Sequence, residues 1–206
     1  MKKKTIESQG HPRLDDHDEP KLMHPSVNVV GDHIYFYGGI DEKSAMELNR
    51  AIHAVSMKLA PTAFSSMQEV GSPAPIWLHI NSMGGEVFSS FAIADTIERV
   101  STLTPVITVI EGAAASGATI ISTAGSKRLM RKNAFMLIHE LSDINWGKYT
   151  ELKDSMKSND TIMKSIKEWY IERTKLPTDK IDEILSHDIW WNAKQCLKYG
   201  LVDQVI

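Results

Sequence analysis

Short apolar runs alternate with helix-spaced apolar stripes along this chain, and the alternation predicts its elements. Val27-Asn28-Val29-Val30 and His33-Ile34-Tyr35-Phe36-Tyr37, separated by a Gly31-Asp32 turn, read as two strands. Gly38-Gly39 closes the second. Asp41 is then placed to N-cap a helix through about Leu59, because Ala45, Leu48, Ile52, Val55 and Leu59 recur at helical spacing. Residues 60–75, with Pro61, Pro73 and Pro75, read as a loop. Ile76-Trp77-Leu78-His79-Ile80 predicts a strand, Asn81-Ser82-Met83-Gly84-Gly85 a glycine turn, and 87–100 a helix. Val106-Ile107-Thr108-Val109-Ile110 is the next strand, handing over to a helix at Ser116, and Phe135-Met136-Leu137-Ile138 is another, closed by His139. A long helix over about 149–174 carries a stripe of Leu152, Met156, Met163, Ile166 and Tyr170, which suits either core packing or a subunit interface. Asn192 to Gln195 reads as the capping box of a last short helix and Gly200 as its stop. Strands alternating with helices imply an α/β fold on a parallel sheet, with chemistry at the carboxyl ends of the strands.

Composition narrows the class. The chain has 206 residues, enough for one domain with a full core, and its 42% hydrophobic and 24% charged content is ordinary for a soluble protein. The first 25 residues are polar and proline-containing, so a flexible segment over 1–25 is expected ahead of one domain over 26–206. His11, Asp15, Asp16, His17 and Asp18 lie in that segment; nothing there would hold them as metal ligands, and no metal site is expected. A formal net charge of −3 argues against a general nucleic-acid binder. No apolar run approaches the roughly 20 residues of a membrane helix, and polar residues follow Lys2-Lys3-Lys4 where a secretory signal would be apolar. The single cysteine, Cys196, has no internal partner and fits a reducing compartment. A cytoplasmic protein without membrane contact is the expectation.

Three reactive positions follow three strands. Gly84-Gly85 follows strand 76–80, Ser116 follows strand 106–110, and His139 ends strand 135–138. Each alone has an ordinary structural reading: Gly-Gly as a turn, His139 as a hydrogen-bonding residue, and Ala113-Ala114-Ala115-Ser116-Gly117 as tight helix–strand packing. On neighbouring parallel strands all three share one sheet edge. Together they would supply a nucleophile, a base, and backbone N–H donors able to approach a carbonyl unobstructed. A carboxylate to orient the histidine would complete the set.

Four ordered motifs go further. Asn81-Ser82-Met83-Gly84-Gly85, Gly112-Ala113-Ala114-Ala115-Ser116-Gly117, Met136-Leu137-Ile138-His139 and Tyr199-Gly200-Leu201-Val202-Asp203 resemble, in order and spacing, those of the Clp protease proteolytic subunits, the ClpP family. The resemblance runs from about Gly31 to the end. It implies a ClpP/crotonase-like spiral of ββα units with a protruding handle helix, the handle region falling at about 140–174. It also implies Ser116 as nucleophile, His139 as general base, and Asp188, eleven residues before Tyr199, as the orienting carboxylate, with the N–H groups of Gly85 and Gly117 as oxyanion hole. Asp182 falls within a predicted helix and is the poorer choice. Met83 replaces the family proline, Gly117 the usual methionine, Glu140-Leu141 the Gln-Pro pair and Trp190-Trp191 the usual Phe-Leu. The 60–75 loop is longer than in the family, and residues 1–30 do not match the family's pore-lining, ATPase-docking segment.

The function so implied is an ATP-independent serine endopeptidase subunit that cleaves unfolded polypeptides or peptides. The resemblance implies a homo-oligomer of stacked heptameric rings supplied by an AAA+ ATPase unfoldase. No cofactor is implied; ATP would belong to the partner, since no Walker-type motif occurs. Two alternatives stay open: a catalytically silent ring subunit beside an active paralogue, and a crotonase-like acyl-CoA enzyme. A membrane-anchored Ser–Lys peptidase is disfavoured because His139 stands at the expected base position.

Overall fold

The computed structural model describes residues 26–65 and 74–206. The expected 1–25 segment with its His/Asp cluster, and residues 66–73 of the expected loop, lie outside the described residues. β1 (Val27–Val30) and β2 (His33–Tyr37) form an antiparallel hairpin across Gly31, whose φ of 64° glycine adopts without strain. α1 (Glu42–Ser65) is capped by Asp41, whose Oδ1 accepts the Ser44 N–H at 2.7 Å. It outruns its expected end at Leu59, so the loop begins later than residue 60.

The main sheet runs β1-β2-β3-β4-β5-β8, with β3 (Ile76–Ser82), β4 (Val106–Ala115), β5 (Lys127–Met130) and β8 (Gln204–Val205). Every pairing after the first hairpin is parallel along this path. β6 (Phe135–Leu137) pairs in parallel with β4 and antiparallel with β7 (Trp191–Asn192). Both β3 and β4 are longer than expected: β3 takes in Asn81-Ser82, and β4 continues past Ile110 through Glu111-Gly112-Ala113-Ala114-Ala115. Those small residues lack strand propensity, but pairing on both sides holds them extended.

Alternation sorts the two faces of the sheet. Ile34, Phe36, Leu78 and Ile80 are fully buried against Leu48 and Ile52 of α1 and Ile93 and Ile97 of α2 (Val87–Ser101). Each such side chain contributes roughly 1.5–3 kcal/mol. The alternate residues His33, Tyr35, Trp77 and His79 stack into an aromatic ladder on the other face. His33 Nδ1 meets His79 Nε2 at 2.9 Å, and Glu111 joins His79 at 2.6 Å and Arg131 at 3.0 Å.

α3 (Gly117–Thr123) follows β4 directly, and α4 (Tyr149–Arg173) is the long helix. Its stripe divides. Ile166 and Tyr170 are buried in the core, whereas Leu152 and Met156, nearer the N-terminus, are 41% and 64% exposed. That end projects from the body of the domain. The other end is tied down by Arg173, which lies 3.4 Å over the Trp169 ring and pairs with Glu98 of α2 at 2.6 Å. α5 (Ile181–Leu185) and α6 (Ala193–Lys198) complete the chain. The Asn192–Gln195 capping box is formed, and Gly200 has a φ of 67°. Trp191 packs against Tyr199 with ring centroids 4.9 Å apart, while Trp190 is 40% exposed.

Candidate active site

A change of partner along β4 builds the site. Its first half pairs with β3 and β5; from Ala113 onward β6 takes the place of β5, while β3 still pairs at Ala114. The register against β3 breaks between Ile80 and Ser82, and the Asn81 side chain bridges the break, its Oδ1 accepting the Ala113 N–H at 3.0 Å. A Cβ on Gly112 would come within 2.8 Å of that oxygen, so a small residue is needed there. Because β3, β4 and β6 are parallel, their carboxyl ends lie together: Gly84-Gly85 after β3, Ser116 after β4, and His139 two residues after β6.

The turn at Ser116 is strained. Its φ of 53° with ψ of −128° makes it the sole non-glycine residue with positive φ among the described residues. The Ser116 N–H donates to Leu137 C=O at 2.9 Å, which locks the Ser116 turn to the strand leading to His139. Serine at a helix N-cap ordinarily spends its hydroxyl on the helix N–H groups. Here Ser116 makes no such cap bond, so Oγ remains available. Gly84 lies against it so closely that a Cβ would stand 2.7 Å from Ser116 Cβ.

The glycine turn presents its backbone to the same place. Ile40 bridges to this segment through Gly84 C=O at 2.9 Å and Glu86 N–H at 3.0 Å, so the N–H of Gly85 takes no part in the bridge. Gly85 has a φ of 151°, and a Cβ there would fall 2.0 Å from Ile40 O. Gly117 is buried, and a Cβ on it would sit 2.2 Å from Ser90 Oγ.

Asp188 reaches His139 through a backbone tether. Glu140 donates its N–H to Leu185 C=O at 2.8 Å, which brings the turn after α5 alongside His139. Asp188 Oδ1 then lies 3.1 Å from His139 Nδ1, with its side chain 77% exposed. Asp182 points elsewhere and pairs with Lys167 of α4. Among the described residues no hydrogen bond joins Ser116 Oγ to the His139 ring; both line one cavity.

That cavity, of about 560 Å³, is bounded by Gly85, Ser116, Gly117 and His139 and walled by Val87, Phe88, Ile120, Leu141, Ile162 and Ile166. Tyr170 closes it from the α4 side; burial pushes its hydroxyl up to about 12, against a hydrogen bond with Thr119 that works the other way. The Tyr170 hydroxyl therefore stays protonated. Asp143 at the rim accepts hydrogen bonds from Asn159 and Asn145, which hold its carboxyl below the usual range. Burial pushes the Cys196 thiol up to about 12 and keeps it from acting as a thiolate. Thr119 went unnoticed in the sequence, because a threonine inside a short apolar helix carries no signal of its contacts.

Comparison with known proteins follows the same outline. A family model described as Clp protease matches residues 32–206. The ATP-dependent Clp protease proteolytic subunit 1 of Protochlamydia amoebophila is 30% identical over 177 residues, covering 84% of this chain and 79% of that protein. The corresponding subunit 2 of Treponema denticola is 34% identical over 142 residues, covering 68% and 70%. Among solved structures, a ClpP1 point mutant from Listeria monocytogenes superposes with a TM-score of 0.71 at 22% identity, covering 85% of this chain and 91% of that one. The last likeness is one of fold.

Proposed function

The chain belongs to the Clp protease family, and from this we propose that it is a serine endopeptidase subunit cleaving unfolded polypeptides and peptides. The observation that carries the reading is the meeting of Ser116, His139 and two glycine turns on one cavity. Ser116 Oγ attacks the scissile carbonyl carbon while His139 takes its proton. The carbonyl oxygen becomes an oxyanion facing the N–H groups of Gly85 and Gly117. Collapse expels the amine, which receives the proton from His139, and water repeats the sequence on the acyl-serine. Asp188 holds the imidazole with Nδ1 protonated and stabilises the imidazolium. Oxyanion donors of this kind are worth on the order of 2.7–4 kcal/mol each.

In this reading the subunits form rings, seven to a ring and stacked in pairs, with the projecting end of α4 between rings. The exposed Leu152 and Met156 on that end support an interface there. An AAA+ unfoldase delivers folded substrates. No helix among the described residues is long and apolar enough to cross a membrane, in keeping with a chamber working in the cytoplasm. One peptidase domain over 26–206 is part of the same proposal.

A second reading has its own support: a subunit completed only by an active paralogue. The exposed Asp188 and the missing Ser116–His139 hydrogen bond favour it. Peptide hydrolysis by the purified chain, with Ser116→Ala and native mass measurement alongside, separates the two. The first reading expects hydrolysis by the homo-oligomer and none by Ser116→Ala. Hydrolysis that arises only on mixing with a second subunit would favour the other.

A further inference from the structure

The carbonyl of Ser116 and the N–H of Gly117 belong to one peptide plane, and in a trans peptide they point in opposite directions. Whatever holds that oxygen on one side therefore aims the N–H to the other. Two donors hold it, the Thr119 N–H at 2.9 Å and the Thr119 hydroxyl Oγ1 at 2.6 Å, so both lone pairs of the oxygen are engaged. Thr119 Oγ1 in turn is hydrogen-bonded to the Tyr170 hydroxyl, which comes from α4. Thr119 is fully buried and Tyr170 is 2% exposed. With Thr119 committed as donor to Ser116 O, the Tyr170 O–H is the donor to Thr119 Oγ1, giving a one-directional chain from α4 to the nucleophile's peptide. One turn further along α3 the contact repeats: Trp169 Nε1 donates to Thr123 Oγ1 at 2.8 Å.

This peptide has a lower-strain alternative. Keeping Ser116 at φ 53° but turning ψ by about half a turn from −128° carries it into the left-handed region near ψ +50°, which non-glycine residues do adopt. That turn would flip the Ser116–Gly117 peptide, taking the Gly117 N–H away from the cavity and presenting a carbonyl oxygen in its place. Backbone strain at Ser116 favours the flip, and the two hydrogen bonds that Thr119 donates to the Ser116 carbonyl, one from its N–H and one from its hydroxyl, oppose it.

We propose that Thr119 and Tyr170 are positioning residues: the α4 hydroxyl, acting through Thr119, holds the Ser116–Gly117 peptide in the orientation that offers its N–H to the reacting carbonyl oxygen. The inference rests on the serine-peptidase reading above and deepens it. It makes oxyanion stabilisation depend on where α4 sits against α3.

The test is steady-state hydrolysis of a short fluorogenic peptide by the full-length oligomer and its variants, with fluorophosphonate labelling and thermal unfolding in parallel. Thr119→Val keeps the shape and removes the hydroxyl; kcat falls about 10- to 100-fold, below the full loss of an oxyanion donor, with KM within about twofold. Thr119→Ser restores most of the rate. Inhibition by a peptide aldehyde, which binds as an oxyanion, weakens by about the factor lost in kcat, while inhibition by a cleaved product peptide does not change. Tyr170→Phe lowers kcat about three- to tenfold in the wild-type background and has no further effect on Thr119→Val, because it acts only through that hydroxyl. If Thr119→Val misfolds through its orphaned tyrosine hydroxyl, the double variant, which lacks both groups, supplies the same readout. A folded Thr119→Val or double variant with kcat within twofold of wild type overturns this inference alone. So does Tyr170→Phe exerting its full factor on top of Thr119→Val. A folded, assembled wild type that neither labels nor cleaves overturns the serine-peptidase reading itself.

Discussion

Replacing Asp188 by asparagine keeps the shape of the side chain and removes its charge. In a buried triad the same change costs about 10⁴ in kcat, because the amide traps the histidine in the wrong tautomer. Asp188 is differently placed. Its carboxylate is 3.1 Å from His139 Nδ1 but its side chain is 77% exposed, so the pair lies near the water limit of screening. Two unit charges at 3.1 Å in a water-like dielectric attract by about 1.3 kcal/mol, which corresponds to about tenfold in rate. An exposed asparagine can also turn its oxygen toward Nδ1, which removes the tautomer trap. Asp188→Asn should thus lower kcat/KM about tenfold, and the deficit relative to wild type should shrink in 1 M salt, where the Debye length is about 3 Å. The assay is hydrolysis of a short fluorogenic peptide at low and high ionic strength. A loss of a thousandfold or more, unaffected by salt, would refute the argument from exposure and mean that Asp188 is desolvated in the working enzyme.

Gly85→Ala should destabilise the fold by about 1–3 kcal/mol and abolish hydrolysis, because its Cβ would fall 2.0 Å from Ile40 O at a φ of 151°; thermal unfolding and peptide cleavage check it together. Glu111 should give stability an acid-side dependence. Burial tends to raise its pKa, but hydrogen bonds from Arg131 and His79 prevail and hold it below the usual carboxylate range. Its contribution is therefore complete above the unfolded value and lost as pH falls through the lower folded one. Glu111→Gln should narrow the stability gap between neutral and strongly acidic pH in urea titrations; an unchanged gap would remove Glu111 from that account.

The legible parts of this chain were those with a local signal. The strand cores at 76–80 and 106–110, the caps at Asp41 and Asn192 and the stop at Gly200 follow from spacing and backbone chemistry, and the structure has them. Extents were less legible. β4 runs on through Gly112 and three alanines because β3 and β6 flank it, and pairing of that kind leaves no mark on the residues being paired. β5 was missed, since Lys127-Arg128-Leu129-Met130 is short and half charged; the sheet recruits it between β4 and β8. At the candidate site, the strand-end positions of Gly85, Ser116 and His139 could be anticipated from parallel topology. The exposure of Asp188 and the Thr119–Tyr170 contact could not, because each depends on elements 49 to 51 residues apart in the chain meeting in space.

The most direct test of the central claim is covalent capture. Treatment of the assembled protein with a fluorophosphonate, followed by intact-mass and peptide mapping, should place one adduct per subunit on Ser116 and none on Ser116→Ala or on heat-unfolded protein. Loss of peptide hydrolysis should track the fraction labelled. An assembled, peptide-cleaving protein whose Ser116 stays unmodified, or a Ser116→Ala variant that still cleaves, would contradict the assignment of the nucleophile.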